Sequence, residues 1–111
     1  MPRGEADGEA RFAKDDLDGE DAGVSHHRVK PGKRQPFGHR QDEAEEIYVV
    51  LAGFGRIKPD DEIIAIEPLD AIRVAPQVTQ AFEAGPGGIE VLAFGPRHDG
   101  DGELIPGWWS D

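Results

Sequence analysis

The side chains able to do chemistry in this chain are few and concentrated. There are four His and no Cys, and Ser25, Thr79 and Ser110 are the only Ser or Thr. Without Cys there are no disulfides, thiolate metal sites or cysteine nucleophiles. Ser25 has no glycine-flanked elbow, and Ser110 stands beside the last residue, so a serine-based triad is not expected. What remains is imidazole, carboxylate and amide. In Phe37-Gly38-His39-Arg40-Gln41, alternation along an extended chain puts Phe37, His39 and Gln41 on one face and turns Arg40 away. A His and an amide two residues apart can then reach a common point. Glu46 heads the run Glu46-Ile47-Tyr48-Val49-Val50-Leu51-Ala52, where Glu46, Tyr48 and Val50 share a face opposite Ile47, Val49 and Leu51. Both faces are apolar beyond Glu46, which predicts a strand buried on both sides with a carboxylate at one end. Burying a carboxylate is costly unless it is paired or bound to a cation, so Glu46 is at a rim or has a partner.

Other candidates read more plainly. His26 and His27 are neighbours on an extended run and face opposite ways, so one at most enters an interior site. His98 with Asp99 and Asp101 lies in a Gly-rich tail and reads as solvated. Trp108 and Trp109 are too apolar to leave in water and are expected to cover part of the molecule or a partner subunit. Arg28, Lys30, Lys33, Arg34 and Arg40 form a cationic run with no acid between residues 22 and 41. It suits either a strand edge guarded against pairing or a contact to an anion, and the edge reading is preferred.

The elements that must position these residues are short. With 111 residues, 37% hydrophobic and 32% charged, the chain is one domain by length. Its net charge of −11 opposes a phosphate backbone, so nucleic-acid binding is not expected. No apolar run reaches the ~18 residues of a membrane helix, and no signal-peptide pattern opens the sequence. No membrane partner is expected, and a cytoplasmic protein is the default reading. Residues 1–21 read as an acidic arm, its first seven residues disordered, with a short helix over Glu9–Leu17. From residue 22 onward Gly and Pro recur at short intervals between β-rich runs near 23–30, 36–41, 46–52, 55–58, 62–66, 71–75, 79–84 and 89–95. Many short strands with regular turn signals predict an all-β sandwich or barrel. Pro59-Asp60-Asp61 and Gly85-Pro86-Gly87-Gly88 are expected hairpin loops.

These features resemble the cupin superfamily. Its first motif reads Gly, five residues, His-x-His, three or four residues, Glu, six residues, Gly. Here His39-x-Gln41, four residues, Glu46, six residues and Gly53 follow it from the first His onward, with Gln41 in place of the second His. Gly32 lies one residue further from His39 than the pattern asks. The second motif, Gly, five residues, Pro-x-Gly, two residues, His, three residues, Asn, survives only in outline. Leu69 stands for the first Gly, Ala75 for the Pro, Gln77 for the second Gly, Gln80 for the His and Ala84 for the Asn. The ending Pro106-Gly107-Trp108-Trp109 is similar to that of small bacterial single-domain cupins. The resemblance covers residues 22–96 well and the tail more loosely.

The resemblance implies a cupin jelly-roll barrel (double-stranded β-helix) over 22–96, with 1–21 as an arm or helix and 97–111 as a Trp-containing tail packed on the barrel. It implies an interior pocket in which the motif residues hold a divalent metal. Carried over by position, that set is His39, Gln41, Glu46 and Gln80, with Phe37, Tyr48 and Phe82 as candidate walls. Two imidazoles are replaced by neutral amides, which are weak, hard ligands. No tightly bound cofactor is therefore expected, only a weakly held divalent ion such as Mn, Fe, Ni or Zn. Alternatively the two Gln, Glu46 and His39 satisfy one another as a metal-free network. The leading functional expectation is a small-molecule-binding cupin that forms a homodimer. The competing one is a metal-dependent cupin enzyme, a dioxygenase or isomerase, using His39 and Glu46.

Overall fold

The computed structural model describes residues 8–12, 22–96 and 102–109. Among them are eight strands: β1 Gly8–Phe12, β2 Ala22–Val29, β3 Phe37–Gln41, β4 Glu46–Ile57, β5 Ile64–Ile66, β6 Ala71–Val74, β7 Phe82–Pro96 and β8 Gly102–Pro106. The architecture is all-β, as expected. A six-stranded antiparallel sheet runs β1-β2-β7-β4-β5, with β6 pairing β4 at its Glu46 end. β3 and β8 form a separate two-stranded antiparallel ribbon.

The interior follows from side-chain alternation. Tyr48 and Val50 of β4 stand beside Ala93 and Val91 of β7, and Val91 pairs in turn with His27 of β2. Val50, Ile57, Phe82 and Val91 are the large residues fully removed from water. Tyr48 packs edge-on against Phe82, with ring centroids 5.1 Å apart. Burying a side chain of this size contributes about 1.5–3 kcal/mol.

Four expectations are corrected. Residues 9–12 of the proposed helix are in strand β1, which pairs with β2 from Gly8↔Val29 to Phe12↔Ser25. The Asp-rich segment has little helix propensity, and the open edge of β2 offers a full row of backbone partners. The rest of that helix, and the first seven residues, lie outside the described residues. Second, Gly85–Gly88 is no hairpin: β7 passes through it. β4 pairs with both halves of β7, Gly55↔Ala84 on one side and Gly53↔Ile89 on the other, and the ladder shifts register between them. A reversal there would cost β4 one of its partners. The close approach requires glycine at Gly53, where φ is +82° and a Cβ would lie 2.1 Å from the Gly88 carbonyl oxygen. Third, the outer face of β4 is not buried in the single chain, since Ile47 is 41% exposed. Fourth, β8 falls in the segment read only as a tail. The turn at Pro59-Asp60-Asp61 is present: Asp60 has φ 52° and its Oδ1 accepts from the Thr79 N–H at 3.1 Å.

Candidate functional site

Glu46 and Tyr48 point inward from β4, and β6 contributes Val74 beside them. Opposite stands β3 with His39 and Gln41. One edge of β3 pairs with β8, and the other is tied to the segment 77–80. His39 N–H donates to the Gln80 carbonyl at 2.7 Å, Gln80 N–H to the His39 carbonyl at 3.0 Å, and Gln77 N–H to the Gln41 carbonyl at 2.6 Å. That segment is reached through two unusual residues. Leu69 has φ +73° and Gln77 φ +71°. Both stand where the motif pattern places glycine, and the left-handed backbone gives the physical reason for glycine there.

His39, Gln41, Glu46 and Gln80 line one small cavity, together with Ala44, Tyr48, Val74, Ala75 and Val78. Gln41 Nε2 donates to Glu46 Oε1 at 3.0 Å, and His39 Nδ1 lies 3.6 Å from the same oxygen. Gln80 Nε2 donates to the Tyr48 hydroxyl at 2.7 Å. The phenol oxygen is therefore the acceptor of the Gln80 amide N–H. That orders the Gln80 amide and leaves its Oε1 buried with no partner, on a residue only 3% exposed. The two Gln are not bonded to each other. Burial, then the charge and hydrogen bond of Glu46, holds the Tyr48 phenol well above its usual range.

Of the expected walls only Tyr48 lines the cavity. Phe82 lies behind it in the core, and Phe37 is 45% exposed. The smaller Ala44, Val74, Ala75 and Val78 take their place, and no water-sized sphere fits in the space between them. Of the two adjacent His, His27 faces inward and His26 outward, where Nε2 of His26 lies 3.0 Å from Glu90. His27 Nε2 is 2.7 Å from the Ser25 hydroxyl. Burial, with His39 and His26 nearby, lowers its pKa to about 4. Strand alternation signalled that one of the pair would point inward; which one depended on the pairing of β2 with β7. His98, Asp99 and Asp101 lie outside the described residues.

No family model and no curated protein matches the chain. Solved structures do. A cupin protein from Bacteroides fragilis is 28% identical over 90% of this chain and 84% of its own, with a TM-score of 0.75. The polyketide cyclase RemF from Streptomyces resistomycificus is 21% identical over 100% of this chain and 78% of its own, at 0.75. Salicylate 1,2-dioxygenase from Pseudoaminobacter salicylatoxidans, solved as an adduct with gentisate, is 15% identical at 0.75; 94% of this chain matches 31% of that one. The chain is a cupin-fold protein.

The fold implies a metal, and the donors can be tested against one. Gln80 Oε1 lacks a partner, Glu46 supplies a carboxylate and His39 one ring nitrogen. Among the described residues no three His, Asp or Glu converge as a metal site. The set suits a loosely held, oxygen-tolerant divalent ion rather than a tightly held one. No helix among the described residues is long and apolar enough to cross a membrane.

Proposed function

We propose that this protein is a small-molecule-binding cupin whose interior recognises a ligand through hydrogen bonds that the ligand donates. One observation carries this reading: the buried Gln80 Oε1 is an acceptor with no donor, in a cavity it shares with the Glu46 carboxylate. A buried acceptor without a partner costs about 1–3 kcal/mol, a cost that a ligand hydroxyl or amine would remove. Metal-dependent chemistry is the second reading, favoured by the same orphan oxygen. His39, Glu46 and Gln80 would then hold a divalent ion, which would supply Lewis-acid polarisation of a bound oxygen. The cyclase and dioxygenase among the structural neighbours are consistent with either reading. A homodimer remains part of the proposal, resting on the open apolar face of β4 and its neighbour β7, and a cytoplasmic location is kept with it as the default reading.

Substitution at Gln80 separates the readings. Gln80→Met removes the orphan acceptor while keeping side-chain length. The free variant should match or exceed the wild type in urea unfolding. Any organic molecule seen by native mass spectrometry on the wild type should be lost. Gln80→His instead adds an imidazole and should tighten Mn(II) or Ni(II) binding in calorimetry. Strong destabilisation by Gln80→Met would mean the amide is structural, and tight metal binding by the wild type would favour the enzyme.

A further inference from the structure

If the cavity binds a ligand, as proposed above, it must open, because no water-sized sphere fits inside. Part of the lining is anchored in the large sheet: Glu46 and Tyr48 on β4, paired to both β6 and β7, and Val74 on β6. The side carrying His39 and Gln41 is different. β3 belongs to the two-stranded ribbon, and Gly102 of its partner β8 lies against the imidazole, whose side chain is 33% exposed. A Cβ placed on Gly102 would lie 3.2 Å from His39 Nε2.

β8 is held by its ladder, by the Arg40–Glu103 ion pair and by its end rather than by burial. Gly102, Glu103, Leu104 and Pro106 are exposed and Ile105 is half-buried. Elements that bury little apolar surface open at low free-energy cost. At the far end Trp108 is fastened twice to Lys58. The indole N–H donates to the Lys58 carbonyl at 2.9 Å, and the Lys58 ammonium donates to the Trp108 carbonyl at 2.8 Å. The same ammonium lies 5.2 Å from the indole centroid. The ring also seats against β3, since a Cβ on Gly38 would come within 2.9 Å of it. Trp109 adds contacts to the Arg34 and Arg56 guanidiniums, 4.8 and 5.7 Å from its centroid, and both cations also bind Glu83.

We propose that β8 and its Trp108 clasp form the gate of this cavity. Release of Trp108 from Lys58 frees β8 from β3 and widens the access past His39 to the space behind it. The clasp acts through chain contacts alone, so it can be tested without knowing the ligand.

The absence of native Cys makes thiol trapping clean. Val74→Cys places a nearly isosteric thiol on the buried cavity wall. Val50→Cys places one at a fully buried point on β4 outside the cavity lining. Iodoacetamide labelling rates are measured for both, with the clasp intact and with Trp108→Ala or the milder Lys58→Met. With the clasp intact, Val74→Cys should be protected. Clasp loss should speed its labelling by about tenfold or more while leaving Val50→Cys unchanged. Lys58→Met should act in the same direction and supplies the test should Trp108→Ala not fold. Equal acceleration at both positions would mean general loosening and overturn the gate. So would an unchanged Val74→Cys rate, or rapid labelling with the clasp intact. None of these results depends on ligand binding, so failure of the gate and failure of the binding proposal are separable.

Discussion

At the scale of single residues, the interior is organised around acceptors and one neutral imidazole. Glu46 receives a hydrogen bond from Gln41, and Gln80 is left with an oxygen to satisfy. His27 is the other unusual group, with a pKa near 4 against 6.5 for the free side chain. The unfolded chain therefore binds its proton first as pH falls. The stability linked to His27 is full above pH 6.5 and is lost as pH drops toward 4. The limit is about 3 kcal/mol from the linkage of pKa shift to stability. Urea unfolding of wild type and His27→Gln between pH 7 and 4 should show this difference, with the variant less sensitive to pH. Parallel curves would show that His27 is not held neutral by burial. Alternation put His39 and Gln41 on one face, and the resemblance to the cupin motifs grouped Glu46 and Gln80 with them. Neither showed which hydrogen bond each makes, because those depend on the distance between β3, β4 and the segment before β7.

At the scale of elements, the eroded second motif has left a mark on the backbone. Leu69 and Gln77 occupy left-handed conformations that cost a side-chain-bearing residue about 1–2 kcal/mol. Leu69 is 83% exposed, so little burial is lost on truncation. Leu69→Gly and Gln77→Gly should each be neutral to stabilising, by up to about 1 kcal/mol after the added freedom of the unfolded chain is deducted. Alanine at either site should not show this gain. A clear loss of stability on introducing glycine, measured by thermal or urea unfolding, would mean these turns carry no strain. The strands themselves were legible from Gly and Pro spacing and from side-chain alternation. Gly85–Gly88 departs from the expected hairpin because its composition specifies only that the chain leaves regular geometry there. Whether it reverses or passes through depends on the length of β4 lying alongside. β8 was hidden for a related reason: it is held by the open backbone of β3 more than by its own pattern of burial.

At the scale of the whole molecule, one sheet face is unusually apolar. Ile47 pairs with Phe94 and Val49 with Leu92, all on the outward side, and Phe94 is 38% exposed. Among nearby groups, Arg73 bonds to Glu45 and Glu90 sits between His26 and Arg28, so both signs of charge border the patch. A second copy could therefore approach despite the net charge of −11. Light scattering should give twice the 12.1 kDa chain mass at micromolar concentration. Phe94→Lys should shift it to the single-chain value without loss of fold, as judged by circular dichroism. A wild-type mass of one chain would remove the homodimer from the proposal.

What the amino-acid order determined by itself was local in origin. Alternation set which side of β4 carries Glu46 and Tyr48 and put His39 and Gln41 on one face, turn residues divided the β-rich runs, and the resemblance to the cupin motifs grouped Glu46 and Gln80 with that pair. The tertiary structure decided what local pattern cannot encode. It turned His27 inward through its register with Val91, drew β8 over His39, and fastened Trp108 to Lys58 fifty residues away. It also lined the cavity with small residues where aromatic walls were expected. The reason is that backbone pairing and close packing are satisfied by whichever partner the completed barrel brings near, and sequence separation does not limit that choice.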